Sequence, residues 1–380
     1  MRQRGAGPTP RGAQPNSRVI DAGGVELWGL LENAAATLPA LPFEAWHFGD
    51  SIAFEAMVSA SRYLHEPALT NFARGFVRGW AATKREFRPT DCTAPGLAIC
   101  HLYEQTGDRA ILDVAIDLAN YLATRRLIGS VFNTWEVSPL RVPYGPDSLS
   151  PEDEALRRDP GAGVFVDCLH FDPPFFASLG RIMDDDSWTQ LAIQQANGYI
   201  RLLQNPTSGL FDHFYLEKTG NSYISGWGRG QGWALLGLLD VIEEVGASGD
   251  TDAIRTAARK LTLIMLKMQN PDGSWYAIVT TQQSGSESST SAFMAVGFWK
   301  AVELGVVSVS EVHDAVQRAE RSMLDNTSEA GVLTDVSAAV WASTLTTHYH
   351  HVPKGVIAPW GQGPLVLALI DSVAQAERGC

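Results

Sequence analysis

Residues 97–123 read LAICHLYEQTGDRAILDVAIDLANYLA. This is an apolar helix, a polar turn and a second helix. Thr106-Gly107-Asp108 carries the stop and the restart: a glycine ends one helix and an aspartate caps the next. The form recurs in PPFFASLGRIMDDDSWTQLAIQQANGYIRLLQ (173–204), turning at Asp184-Asp185-Asp186. It recurs again in 234–269, turning at Gly249-Asp250, and in 292–324, with a weaker first copy over 53–83. Turns near 66, 107, 185, 249 and 309 lie roughly 40 to 80 residues apart, a spacing of the order shown by helix-pair arrays. In each pair one helix is apolar enough to be buried all round, and its partner is amphipathic.

Twelve helical segments with few strand-like alternations predict an all-α chain. Stacking five or six pairs buries a continuous core, and a ring of six closes at about this length. An open solenoid is the alternative, which the sequence alone does not decide. The closed ring is favoured because Gly- and Trp-rich connectors recur between pairs, where the mouth of an inner ring would lie.

Composition agrees with one globular unit: 380 residues, 45% hydrophobic and 19% charged. The balance of 29 Lys+Arg against 42 Asp+Glu, a net −13, argues against a nucleic-acid partner, whose phosphates demand a basic footprint. No stretch approaches the ~20 apolar residues that span a bilayer. Residues 1–17, MRQRGAGPTPRGAQPNS, have no apolar run behind their arginines and read as a disordered arm rather than a secretory signal. Residues 18–380 are expected to form a single catalytic domain. Cys92, Cys100, Cys168 and Cys380 show no metal or redox spacing, so free thiols and a cytoplasmic location are expected.

Two connectors stand out. Residues 129–163 form a long Pro/Gly-rich stretch, and loops beyond ~12–15 residues are commonly functional or disordered. Residues 343–364 contain His348-Tyr349-His350-His351. With no acidic or cysteine partner at ligand spacing, this run reads as a polar rim loop rather than a metal site.

Of the 11 tryptophans, Trp46, Trp135, Trp227, Trp233, Trp275 and Trp360 neighbour Gly, Pro or polar residues. Aromatic faces with polar edges suit sugar rings, although core packing is the commoner role of any single Trp. In Gly226-Trp227-Gly228-Arg229-Gly230-Gln231-Gly232-Trp233 the glycines allow close backbone approach. Arg229, set between two tryptophans before a helix start, suits a carboxylate, and this reading is favoured over a surface turn. Asp167 is an acid inside the apolar run Gly163–Phe171. Burial would raise its pKa and make it a general acid, or it caps the helix that follows; the two readings stand level. Asp91 reads first as a cap. His213, in a connector, is a candidate ligand donor.

These motifs resemble, in order, those of the unsaturated uronyl hydrolases, glycoside hydrolase families 105 and 88. The segments are Asp91…Gly96 to Asp108, Val166-Asp167-Cys-Leu…Arg181, Trp227-Gly-Arg-Gly-Gln-Gly-Trp233, Gln269 to Trp275 and Glu287 to Ala292. The resemblance runs from about residue 46 to 370, and looks closer to the rhamnogalacturonyl type of family 105. It implies an (α/α)6 barrel and release of the 4,5-unsaturated uronic acid that polysaccharide lyases leave on oligosaccharides. It also implies Asp167 as catalytic acid/base, Asp91 as second active-site aspartate, Arg229 and Trp233 on the uronyl carboxylate and ring, and His213 as a site histidine. Trp227 and Gln231 fall in the same segments and are taken as substrate-binding, as are Trp46 and His47, though Trp46-His47-Phe48-Gly49-Asp50 is only loosely familial.

The implied chemistry hydrates the C4=C5 bond using one carboxyl and a carboxylate clamp, with no metal, cofactor or covalent nucleophile. It thus differs from two-carboxylate glycosidases. The acidic stretch 147–159 departs from the family pattern and leaves the neighbouring sugar open. The expected assembly is a monomer or a homodimer, with an oligosaccharide as its partner. The competing readings are a helical-ring glycosidase acting on saturated uronides, a sugar epimerase, and a non-catalytic helical scaffold.

Overall fold

The computed structural model describes residues 26–43, 46–83, 86–134, 140–246 and 250–378. The expected arm 1–17, Trp135, Gly249 and Cys380 lie outside the described residues.

In chain order the helices are α1 (Leu27–Thr37), α2 (Asp50–Tyr63), α3 (Pro67–Ala82), α4 (Gly96–Thr106), α5 (Arg109–Leu122), α6 (Pro151–Arg158) and α7 (Cys168–Met183). They continue with α8 (Asp186–Leu203), α9 (Gly228–Val245), α10 (Asp252–Met268), α11 (Ser288–Glu303), α12 (Val309–Asp325) and α13 (Pro359–Arg378). The predicted turn after α4 is present. Gly107 takes φ 65°, and the Asp108 carboxylate accepts the Ala110 N–H at 3.1 Å.

Inner helices α2, α4, α7, α9, α11 and α13 pack in that order, and α13 packs back on α2. Outer helices α3, α5, α8, α10 and α12 each cover the inner helix before them, and α1 covers α13. This is the closed (α/α)6 barrel, and the open solenoid is set aside by the α13–α2 contact. Burial follows the division: along α9 only Glu243 is exposed, whereas amphipathic α12 buries one stripe.

Small residues let the inner helices approach. A Cβ on Gly363 of α13 would lie 2.8 Å from the Ile52 carbonyl oxygen, and one on Gly237 of α9 would lie 2.4 Å from that of Leu169. The second approach has a chemical partner. α7 starts at Cys168, five residues before the predicted pair, and runs through Pro173 and Pro174. Pro173 has no N–H to return to Leu169, so that carbonyl is left facing α9.

Short strands interrupt the helices. β1 (Leu127–Ile128) and β2 (Val131–Phe132) make a hairpin, and β3 (Gly163–Phe165), β4 (Asp212–Leu216) and β5 (Asn221–Ser225) make an antiparallel sheet in that order. Among the described residues no helix is long and apolar enough to cross a membrane. Cys92, Cys100 and Cys168 are free and buried.

Candidate active site

The connectors that precede the inner helices gather at one end of the barrel. Trp46, His47 and Phe48 before α2, the turn 89–93 before α4, Phe165 and Asp167 before α7, and Trp227 before α9 line one cavity of about 290 Å³. Helix N-termini carry partial positive charge, so this end favours an anion.

The β3–β4 pairing sets the acid. Phe165 lies opposite Phe214, and the Val166 N–H donates to the His213 carbonyl at 2.9 Å, which brings Asp167 beside His213. Asp167 stands at the N-cap position of α7, yet its side chain makes no capping bond, so the capping alternative falls away. Its Oδ2 is buried without a hydrogen-bond partner. Desolvation pushes the carboxyl up to about 7, against weaker downward pulls from a backbone N–H, Arg229 and His170. A carboxyl so shifted can keep its proton close to neutral pH.

His213 Nε2 lies 3.7 Å from Asp167 Oδ2, and Nδ1 lies 2.6 Å from the Tyr349 hydroxyl. The backbone of Ser343 also bonds that hydroxyl, which leaves its hydrogen for Nδ1 and the Nε2–H facing Asp167. Burial, with Arg229 and His348 nearby, holds His213 well below its ordinary value and therefore neutral. The Trp227 ring backs it at 4.2 Å.

Arg229 takes a different position from the expected one. Its guanidinium is fully buried and does not line the cavity. It lies between Trp227 and Trp360, at 5.0 and 5.6 Å, rather than between Trp227 and Trp233. Nη1 bonds Ser337 Oγ at 2.7 Å and Glu287 Oε1 at 3.3 Å, and Nη2 bonds the Ala338 carbonyl at 3.2 Å. The arginine thus stands behind the Trp227 wall with its charge matched by Glu287. Its field still reaches Asp167 and His213.

Trp46 and His47 line the cavity, and His47 leans over Trp360 at 5.7 Å. Three other expected residues do not line it. Asp91 is buried, with Oδ2 accepting the Arg88 N–H at 2.6 Å, while its neighbours Thr90, Cys92 and Thr93 face the cavity. Gln231 spends its amide on Phe211 and Trp227 backbone groups, pinning the glycine turn to the entrance of β4. Trp233 packs inside the barrel against His170, Phe171 and Phe293. Trp275 is core, its Nε1–H donating to the Met265 carbonyl at 2.9 Å.

Sequence reasoning passed over Tyr349, Arg141 and Trp341. Arg141 and Trp341 lie at the cavity mouth, where Leu140 bridges Ala342 in parallel. Within the histidine run His348 is structural: its Nδ1 accepts the Tyr144 N–H at 2.9 Å, and Nε2 donates to the Val340 carbonyl at 2.8 Å. No local pattern marks these pairings, which join segments some 200 residues apart.

Among the described residues, Glu55, His170 and Asp240 offer three potential metal ligands within 4.8 Å of one another. His170 sits 3.3 Å from Glu55 Oε2 and 3.2 Å from Asp240 Oδ2, and the two carboxylates hold it up at about 10 against desolvation. Lys300 bonds both Asp240 and Glu243, so two cationic side chains share three carboxylates here.

Comparison with known proteins bears on the family and the fold. The family model described as Glycosyl Hydrolase Family 88 matches residues 32–375. The chain is 24% identical over 344 residues to the unsaturated rhamnogalacturonyl hydrolase YesR of Bacillus subtilis (strain 168), covering 88% of this chain and 91% of that one. Its fold is like that of a possible GH105 member from Salmonella enterica serovar Paratyphi A, with TM-score 0.77, 17% identity and 92% and 94% of the two chains covered. It is also like that of the unsaturated glucuronyl hydrolase of Bacillus sp. GL1, with TM-score 0.66, 16% identity and 92% and 95% covered.

Proposed function

The chain belongs to glycosyl hydrolase family 88, and from that premise we propose that it hydrolyses lyase-generated oligosaccharides, releasing the 4,5-unsaturated uronic acid from the non-reducing end. The observation that carries this reading is the state of Asp167: among the described residues it is the sole carboxylic acid lining the cavity, and burial holds it near pKa 7. Hydrating an enol ether needs one acid that can give a proton and take it back. A two-carboxylate glycosidase needs a second acid facing the same bond, so the saturated-uronide reading is disfavoured.

In the proposed reaction the Asp167 carboxyl protonates C4. Positive charge develops at C5 and the ring oxygen, and water adds to C5 as its proton returns to the Asp167 carboxylate. The C5 hemiketal opens, and the glycosidic bond breaks in the rearrangement that follows. His213, neutral and with Nε2 3.7 Å from Asp167 Oδ2, is placed to hold the attacking water beside the carboxyl. Trp227 and Trp46, both largely buried, give the cavity wall apolar surface for the sugar. Arg229 acts through the wall as a fixed positive charge favouring the uronate carboxylate, with the convergent helix N-termini adding to it.

The test is to supply lyase-made disaccharides and follow the ultraviolet absorbance of the ring double bond. The expected result is loss of that absorbance with release of the neighbouring sugar. Intact double bonds together with cleavage of saturated uronides would overturn the reading.

A further inference from the structure

The cavity wall carries a pair of groups that the reaction does not use. Cys92 and Cys168 both line it, one from the turn 89–93 and the other from the first residue of α7, directly after Asp167. The turn packs on α7, so two thiols far apart in the sequence meet on one wall. The Cys92 thiol donates to the Thr134 carbonyl at 3.5 Å, which leaves its sulfur to accept from Cys168. That contact and burial push the Cys168 thiol well above its ordinary value, so it keeps its proton. Arg125 lies within electrostatic reach of Cys92, and its side chain is only 8% exposed. Its Nη2 holds Asp172 Oδ2 at 2.6 Å, whereas Nη1 is buried with no hydrogen-bond partner.

We propose that Cys92 and Cys168 form a binding site for a soft monovalent cation, Cu(I), held between two thiolates and closing the cavity to substrate. Thiolate sulfur selects soft ions, and coordination number decides among them. Among the described residues no third carboxylate, imidazole or thiol atom lies within 4.8 Å of both sulfurs. Zn(II), which takes four ligands in its structural sites, is therefore not supplied, whereas an ion content with two sulfurs in line is. Binding exchanges two S–H protons, which leave to solvent, for two metal–sulfur bonds, and no electron moves. A coordinated thiol gives up its proton outright, even where burial otherwise holds it. Two thiolates on one monovalent ion carry a single negative charge, and the Arg125 guanidinium supplies the opposite one. Oxidation to a disulfide is the competing fate, but it starts from a thiolate, and Cys168 is held as the thiol. The site rests on the thiols alone; only its effect on turnover rests on the proposed function.

The experiment titrates the full chain with Ag(I) in chloride-free buffer, and with chelator-buffered Cu(I) under nitrogen. Calorimetry in buffers of different ionisation enthalpy should show one tight ion per chain and the release of two protons. Cys92→Ala and Cys168→Ala, each checked by circular dichroism, should weaken binding at least about a hundredfold. Cys100→Ala and Cys380→Ala should keep it, since Cys100 is buried away from the cavity. X-ray absorption at the copper edge of the wild type, which needs no variant to fold, should show two sulfur neighbours and no nitrogen. Turnover of a lyase-made disaccharide should fall in proportion to the ion bound and return when a chelator removes it. Affinity indifferent to both cavity substitutions, or a nitrogen neighbour at the metal, would overturn the site, and full turnover at full occupancy would overturn the closure. Peroxide inactivation that dithiothreitol reverses, with Ag(I) left unbound, would assign the pair to oxidation instead. Should wild type leave every double bond intact, the hydrolase reading fails while calorimetry and absorption still judge the site.

Discussion

Asp167 is poised because nothing neutralises it at contact distance. Its raised folded pKa means the proton is held below about pH 7 and lost above it. With Asp167 as the acid, kcat/KM is expected to fall about tenfold per pH unit on the alkaline side of 7, a slope that a pH–rate series measures directly. Asp167→Asn should remove at least a hundredfold of turnover with circular dichroism unchanged. Arg229 belongs to a different class of effect. Because its guanidinium is buried on Glu287, Ser337 and Ala338, Arg229→Ala strands a buried carboxylate. The expected cost is about 3–5 kcal/mol in urea unfolding, in addition to any change in KM. Asp167 was legible as a lone acid in an apolar run. Arg229 was legible as an important arginine, but its true neighbours, Trp360 and Glu287, lie more than 50 residues away and leave no local trace.

At the scale of elements, the helix pairs were readable because burial on one side writes a 3.6-residue period. That signal disappears where nothing is buried. α6 has a sound start, with the Ser150 Oγ accepting the Asp153 N–H at 3.0 Å, yet none of its residues is buried, so it reads as loop. Strands β3 to β5 were missed because they are only three to five residues long, too short to register as alternation. They nonetheless carry Asp167 to His213. Packing between elements gives a sharper test than their existence. At Gly237, α9 comes within van der Waals reach of the Leu169 carbonyl that Pro173 leaves unbonded. Gly237→Ala should therefore cost about 1–3 kcal/mol by overpacking, even though alanine is the better helix former. An exposed control such as Gly75, whose added Cβ meets nothing within 4 Å, should instead gain stability on the same substitution, and thermal melts of the two variants decide it.

The whole molecule turns on closure. The recurrence of helix pairs left a ring and an open array equally compatible with the repeat, and Gly- and Trp-rich connectors only favoured the ring. The physical difference is the last contact: α13 packs on both α11 and α2, and α1 from the start of the chain covers α13 from outside. In an open array, terminal units contribute their own stability plus one interface, so removing one shortens the stack and leaves the rest folded. In a ring, removing α13 uncovers the inner faces of α2 and α11 together and strips α1 of its support. It also removes Trp360, one of the two rings that hold Arg229. Truncation before Pro359 is thus expected to abolish cooperative unfolding and expose apolar surface to a hydrophobic dye, rather than yield a smaller folded protein. Urea titration of the truncated and full chains measures this, and a residual sharp transition at lower midpoint would mean that the first five pairs stand without the ring.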